Sequence, residues 1–407
     1  MYDVVVVGAR CAGAAAARLL AAAGHRVLLV DRARFPSDTL STHYILPAGV
    51  KLLSDWGLLD WMTTSGCPPV DHFLQDLAGE RITGQLSTID NTAFAYAPRR
   101  HLLDAMLVEA AVAAGAEFAD RHRLEGLLWD DDRVAGVRCR LPDGRRIDER
   151  ARLVIGADGV RSTVADLVNA RIYDDQPSKT CAYYTYWSGV PGTTGTGPYP
   201  HTELYMRDRR AIGAVATHDG LALIGAYFPQ RDFLRVRTEA MSAYQAAVRT
   251  AAPDLYDRMT AGHRVERLYG VGRQPNFFRD ASGPGWVLLG DAGHHQDSVT
   301  AWGITNAFRQ ARLLATLLPA HLDDRSRLDE ALHEFARRRD AVLRPTYDTA
   351  LRVAELAVTP DAMAFSRLIR SSRDLTTLYI AVKGGLRPRE DLTAAIRHHY
   401  ATEPVEA

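Results

Sequence analysis

A β-branched run, Val4 to Val7, passes directly into a glycine turn and an alanine-rich stretch, "VVVVGARCAGAAAARLL". This feature constrains the fold most. A strand that is apolar on both faces belongs inside a parallel sheet, and a parallel neighbour requires a crossover. Ala12 to Ala23 supplies the crossover helix, Gly24 ends it, and Arg26 to Asp31 ("RVLLVD") forms the second strand. Small residues at Ala9, Ala12, Gly13 and Ala16 let the helix lie close to its strands, so its first N–H groups face an anion above the turn. The turn departs from G-x-G-x-x-G at its third position, where Arg10 stands in place of glycine. Asp31 ends the second strand, where a carboxylate accepts hydrogen bonds from a ribose hydroxyl.

Downstream, a long polar loop that includes "STHY" leads to a helix from Pro47 to Trp56, and loops of that length in compact domains are usually functional. Residues 70–97 read as short extended pieces. Arg99 to Ala114 reads as an amphipathic helix ended by Gly115, a scaffold element beyond its first turn. Turn signals at Asp130-Asp131-Asp132 and Asp143-Gly144 predict an antiparallel meander over Trp129 to Val154, which feeds "ARLVIGADGVRSTV". Residues 180–229 alternate with Gly and Pro breaks, predicting a β-rich platform. "GWVLLGDAGHHQDSVTAWGITNAF" returns to a buried strand, a loop and a long helix from near Gly303, and the chain is expected to be helical after Pro345.

Composition narrows the function. The 407 residues carry 49 basic and 49 acidic side chains, and 47% of the chain is hydrophobic. The length holds one large domain or two intertwined ones, and the charge balance argues against nucleic acid or an anionic membrane as partner, leaving a small molecule. Cys11, Cys67, Cys139 and Cys181 form no CxxC pair, and adjacent His294 and His295 with Asp297 lack the spacing of a metal site, so no metal is expected. The chain starts on an apolar strand and has no apolar run of about 18 residues, so neither export nor a membrane span is expected, and the location is read as cytoplasmic.

Three segments in order, the turn at Gly8, "GADG" at Gly156 to Gly159 and "GDAGH" at Gly290 to His294, resemble the FAD-dependent aromatic hydroxylases, the class A flavoprotein monooxygenases. Their superfamily also contains geranylgeranyl-reductase-like enzymes and flavin-dependent halogenases. The resemblance runs to about Leu318, beyond which the chain matches only as a generic helical tail. It implies an α/β fold like that of p-hydroxybenzoate hydroxylase: a Rossmann-like βαβ domain for FAD, a β-sheet substrate domain and C-terminal helices. The corresponding division is 1–172 for the first part of the FAD domain, with 70–97 contributing to the substrate domain, then 173–270 for the substrate domain, 271–344 for the second FAD part, and 345–407 for a helical region.

The same resemblance implies the cofactor residues. Gly8, Arg10, Cys11, Ala12 and Gly13 would face the diphosphate, with Asp31 and Arg32 beyond them. Arg10 either covers the diphosphate through its guanidinium or points to solvent, and the accompanying phosphate-facing devices favour the first. Arg100 matches an arginine used near the phosphates, with Arg99 competing. Asp158 would help hold ribose or pyrophosphate, although Ala165 stands where an arginine commonly closes that element. Gly290 presents Asp291 to the ribityl hydroxyls. Ala301, Gly303 and Ile304 would meet the flavin where a helix N-terminus stabilises negative charge on its N1–C2=O edge. The family's P-x-x-G-x-G here reads Ser298 to Gly303, with the proline and first glycine replaced.

Near the flavin stand His43, Trp302 and Gly303, with a backbone-bonding loop role open for His43 and core packing open for Trp302. Tyr184, Tyr186 and Trp302 are candidates for the substrate cleft, where strand alternation turns only some of Tyr183, Tyr184, Tyr186 and Trp187 inward. Halogenases of this superfamily carry W-x-W-x-I-P and an essential lysine. That element is absent, and Lys51, Lys179 and Lys383 are the only lysines. Isoprenoid reductases carry Y-x-W-x-F-P, which Val215, Ala216 and Thr217 replace. The implied activity is therefore hydroxylation of an aromatic or other electron-rich small molecule through a flavin C4a-hydroperoxide, using NAD(P)H and dioxygen, and the alanine-rich, lysine-poor composition points to a bacterial secondary-metabolite or aromatic-catabolic substrate. A reductase or dehydrogenase acting on an isoprenoid or polyketide-type C=C bond is the alternative, and a noncatalytic flavin-binding protein the more distant one.

Overall fold

The structure is a computed structural model in which residues 1–86, 94–192, 202–320 and 322–402 are described. Residues 87–93 of the expected 70–97 contribution, 193–201 of the β-rich stretch, and 403–407 of the helical tail lie outside the described residues.

Tyr2–Val7 lies between Val27–Val30 and Arg146–Gly156, parallel to both, with Val4 opposite Val27 on one side and Leu153 on the other. Trp286–Leu288 and Glu117–Ala119 extend this parallel sheet on either side. Val4, Val5 and Val6 are fully buried, as strands covered on both faces must be. The Cys11–Ala22 helix packs across the sheet and contacts the Arg100–Ala113 and Gly303–Leu317 helices. Close approach explains the glycines that remain in the turn. A Cβ on Gly13 would fall 1.8 Å from the Gly8 carbonyl oxygen, and one on Gly8, at φ +103°, would fall 2.4 Å from that of Ala157. Arg10 needs no glycine, because its backbone is extended at φ −91°.

The meander starts earlier than its turn signals suggest, at Arg123, and Arg146–Gly156 does two jobs. Its first half pairs antiparallel with Arg133–Arg140, and its second half joins the parallel sheet.

The platform is a second sheet in the order His263–Arg264, Thr180–Ser188, Leu221–Pro229, Arg210–Ala216, Thr202–Arg207, His72–Leu77 and Glu80–Gln85. His72–Leu77 runs parallel to Thr202–Arg207. Alternation gives the platform two working faces. Cys181, Tyr183, Ile224, Ala226 and Phe228 pack against the Ala240–Ala251 and Pro253–Ala261 helices, and Tyr186, Leu221 and Leu223 pack towards the C-terminal helices.

No helix break falls at Pro345. Arg325–Val353 is one continuous helix with Pro345 inside it, held by buried Phe335, Leu343, Tyr347 and Ala350 on the face turned to the core. Tertiary burial overrides the local cost of the missing N–H. Pro360–Ser371, Arg373–Lys383 and Arg389–Thr402 complete the helical tail. No helix among the described residues is long and apolar enough to cross a membrane.

Candidate functional site

A cavity of about 1110 Å³ runs from the Gly8 turn, past Asp291 and Gly303, to the platform and the end of the Arg373–Lys383 helix. Two helices point their N-termini into it without a side-chain cap, one preceded by Arg10 and the other by Trp302. The first helical hydrogen bond runs from Ala14 N–H to the Arg10 carbonyl in one, and from Asn306 N–H to the Trp302 carbonyl in the other. The amides of Cys11 to Gly13 and of Gly303 to Thr305 therefore have no intrahelical acceptor. Such groups attract negative charge.

The acids differ in how far they are committed. Asp31 accepts from Ala9 N–H at 2.8 Å and Ala33 N–H at 2.7 Å, which ties the glycine turn to the following loop and leaves lone pairs over. Asp158 is largely used by its own segment. It accepts from Ser162 Oγ at 2.5 Å and Thr163 N–H at 2.7 Å, and burial raises its pKa. Asp291 is exposed within the cavity, and its carboxylate has no hydrogen-bond partner among the described residues. Gln310 Oε1 accepts from Gly290 N–H and fixes that turn to the Gly303–Leu317 helix.

Arg10 lines the cavity and is anchored there by partners that local sequence does not reveal. Its Nη1 donates to Asp104 Oδ2 at 2.7 Å, and it also reaches the Ser37 carbonyl. Arg100 binds the same carboxylate through Nη2 at 3.0 and 3.1 Å, and Cys11 Sγ lies 3.3 Å from Asp104 Oδ1. Two guanidiniums share one fully buried carboxylate, and the cluster keeps one net positive charge at the cavity wall. Sequence reasoning missed Asp104, although a carboxylate four residues after Arg100 on an apolar helix face was a signal. Arg99 turns away from the cavity to Glu266 at 2.8 Å, with its guanidinium 4.1 Å from the centre of the Tyr186 ring.

Two expectations change here. His43 does not line the cavity. It is fully buried with φ +61°, and its Nε2 lies 2.5 Å from Tyr186 Oη. Burial and neighbouring Arg100 hold its pKa well below the ordinary value, so the ring is neutral. Tyr186 is occupied by that bond and by Arg99, and it too is outside the cavity lining. The platform residues that do line it include Tyr184, Val215, Leu223 and Tyr227. Tyr184 stacks on Tyr269 and accepts from Ser41 N–H, joining the long polar loop to the platform.

Arg32, Gly290, Ala301, Trp302, Gly303 and Ile304 all line the cavity. Ala301 stands where the resemblance implies glycine and adopts the left-handed conformation that glycine favours, φ 55° and ψ 28°. Trp302 lies against Gly385, and the Arg309 guanidinium is 4.7 Å from its ring centre. His294 and His295 diverge, the first onto Phe278 and Tyr347 and the second to the Pro275 carbonyl at the cavity edge. The four cysteines are buried and free, and no group of three metal-ligating side chains occurs among the described residues.

The profile of the family described as FAD binding domain matches residues 1–346. The chain is 27% identical over 322 residues to digeranylgeranylglycerophospholipid reductase of Methanosarcina mazei, covering 77% of this chain and 74% of that protein. It is 26% identical over 374 residues to 6-methylpretetramide 4-monooxygenase of Streptomyces rimosus, covering 86% and 82% respectively. Among solved structures, the flavin-dependent brominase Bmp2 superposes with a TM-score of 0.82 at 17% identity, covering 99% of this chain and 100% of that one. The anhydrotetracycline hydroxylase OxyS of Streptomyces rimosus superposes at 0.70 with 20% identity, covering 95% and 76%.

The donor set fits a dinucleotide cofactor. Two uncapped helix ends suit its diphosphate and its polar ring edge, the unpartnered Asp291 suits a hydroxylated linker, and a Cβ on Gly303 would meet nothing within 4 Å.

Proposed function

Because the chain belongs to the FAD binding domain family and is an FAD-dependent oxidoreductase, we propose that it is an NAD(P)H-using monooxygenase that hydroxylates an aromatic or other electron-rich small molecule. The observation that carries the proposal is the single cavity that joins the two uncapped helix ends to an apolar platform face.

Bound FAD would supply the redox chemistry, accepting electrons from the nicotinamide and activating dioxygen. The chain does the rest. The Cys11 to Gly13 amides, with Arg10 and Arg100, would bind the diphosphate, and Asp31 and Asp291 would orient hydroxyls of the ribose and the linker. The Gly303 to Thr305 amides, at the other uncapped helix end, would stabilise negative charge on the ring system. Trp302, Tyr184 and Val215 form walls that exclude water around the substrate. The Asp104 cluster keeps Arg10 and Arg100 at the groove before any cofactor arrives.

Similarity to a digeranylgeranylglycerophospholipid reductase favours a second reading, reduction of an isoprenoid or polyketide-type C=C bond. Dioxygen dependence separates the two. A panel of aromatic compounds is incubated with the FAD-loaded protein and NADPH or NADH, and oxygen uptake and product mass are followed. Gain of one oxygen atom supports the monooxygenase, whereas turnover without oxygen and a gain of two hydrogens supports the reductase.

A further inference from the structure

Lys383 is the last residue of the Arg373–Lys383 helix and lines the same cavity as the glycine turn and the platform. Apolar residues that line the same cavity include Ile380 from its own helix, Phe73 and Leu86 from the platform edge, and Val215 and Leu223 from the platform face. The helix end is held in place from two sides. Ala48 N–H donates to the Gly384 carbonyl at 3.0 Å, and the Trp302 ring packs against Gly385. Lys383 therefore stands on a fixed element beside the loop that leads into the Gly303–Leu317 helix.

No carboxylate among the described residues pairs with this ammonium, and burial alone lowers its pKa. The acids that line the cavity have other partners or positions: Asp31 accepts from Ala9 and Ala33, Asp158 from Ser162 and Thr163, and Asp297 from Thr180 and Val299, while Glu203 pairs with Arg258 and Asp291 lies at the glycine turn that follows Leu289. The nearby Arg309 also lacks a carboxylate partner among the described residues, and burial lowers its pKa to about 10. A cation drawn out of water without a counter-charge is costly until an opposite charge arrives. No described residue supplies that charge.

We propose that Lys383 binds an anionic substituent, a carboxylate or an ionised phenol or enol, on an otherwise apolar substrate. Lys383 is then a specificity-determining residue, and the substrate is an organic acid whose ring body lies on the platform. The inference rests on the substrate cavity assigned above, but not on the reaction performed there.

The test is calorimetric titration of the FAD-loaded protein at pH 8 with two matched pairs of probes. One pair is 2-naphthoate and its methyl ester, and the other is ionised 4-nitrophenol and 4-nitroanisole. The wild-type protein binds the anion of at least one pair more tightly than its neutral partner, by roughly 10- to 150-fold for a charge-assisted contact. The pair that discriminates identifies the source of the anion as carboxylate or phenolate. Lys383→Met brings the ratio close to one, and Lys383→Arg retains most of it. A melting temperature of the Met variant at or above wild type shows that the lost preference is not lost folding, and Lys383→Gln repeats the test should the Met variant not accumulate. The proposal is overturned if the wild type prefers the anion in neither pair, or if the neutral variants keep the ratio. Calorimetry reads the ion pair whatever the chemistry. Anion preference without oxygen consumption would sink the monooxygenase and leave Lys383 standing, and the converse would sink Lys383 alone.

Discussion

Asp104→Asn removes a charge that two arginines share while keeping the shape of the side chain. Asp104 is fully buried, and the side chains of Arg10 and Arg100 are 26% and 10% exposed. Leaving a buried charge without its partner costs about 3–5 kcal/mol. The lower end applies, since solvent screens the Arg10 contact and asparagine still offers one acceptor oxygen to Arg100, so the protein without FAD should lose about 3 kcal/mol. A diphosphate bound at the Cys11 helix end would return negative charge to the two guanidiniums and reduce the loss to about 1 kcal/mol. By linkage the variant then binds FAD more tightly, by about 2 kcal/mol or roughly 30-fold. Urea unfolding with and without saturating FAD, together with a fluorescence titration of FAD, measures all three quantities. Equal losses in the two forms, with FAD affinity unchanged or weaker, would refute the placement of the diphosphate beside Arg10 and Arg100.

Other outcomes follow from individual residues. Ala301→Gly should raise the unfolding free energy by about 0.5–1 kcal/mol by relieving a left-handed alanine, and a drop in the urea midpoint would contradict this. Tyr186→Phe deprives His43 Nε2 of its partner while Nδ1 already has none, and should cost about 1–3 kcal/mol in chemical denaturation; an unchanged midpoint would contradict it. His43 and His294 have pKa values held well below 6.5 by burial. As pH falls below 6.5 the unfolded chain takes up protons that the folded chain refuses, so stability drops by up to about 1.4 kcal/mol per pH unit for each histidine. Urea midpoints at pH 7.5, 6.5 and 5.5 should decline in that order, and a flat profile would exclude neutral burial of both rings.

The sequence revealed what depends on local pattern. The Val4 to Val7 run, the small residues of the first helix and the strand–loop–helix around Gly290 to Gly303 each specify their structure within a few residues, and each falls where its pattern put it. What stayed hidden depends on distant partners. Arg10 is explained by Asp104, 94 positions away, and His43 by Tyr186, 143 positions away. Pro345 reads as a break because its local cost is plain, whereas the burial of Leu343 and Tyr347 that carries the helix through it is not. Lys383 passed as part of a generic tail. Its position three residues after buried Ile380, on a face turned to the core, was the available signal.

Whether the reduced cofactor activates dioxygen can be read from a rapid-mixing absorbance trace of the FAD-loaded protein, reduced without oxygen and then mixed with aerated buffer, with and without aromatic acids. The monooxygenase account predicts a transient spectrum distinct from both the oxidised and the reduced protein, with a lifetime that changes when the ligand is present. Single-step return to the oxidised spectrum, identical with and without ligand, would contradict it.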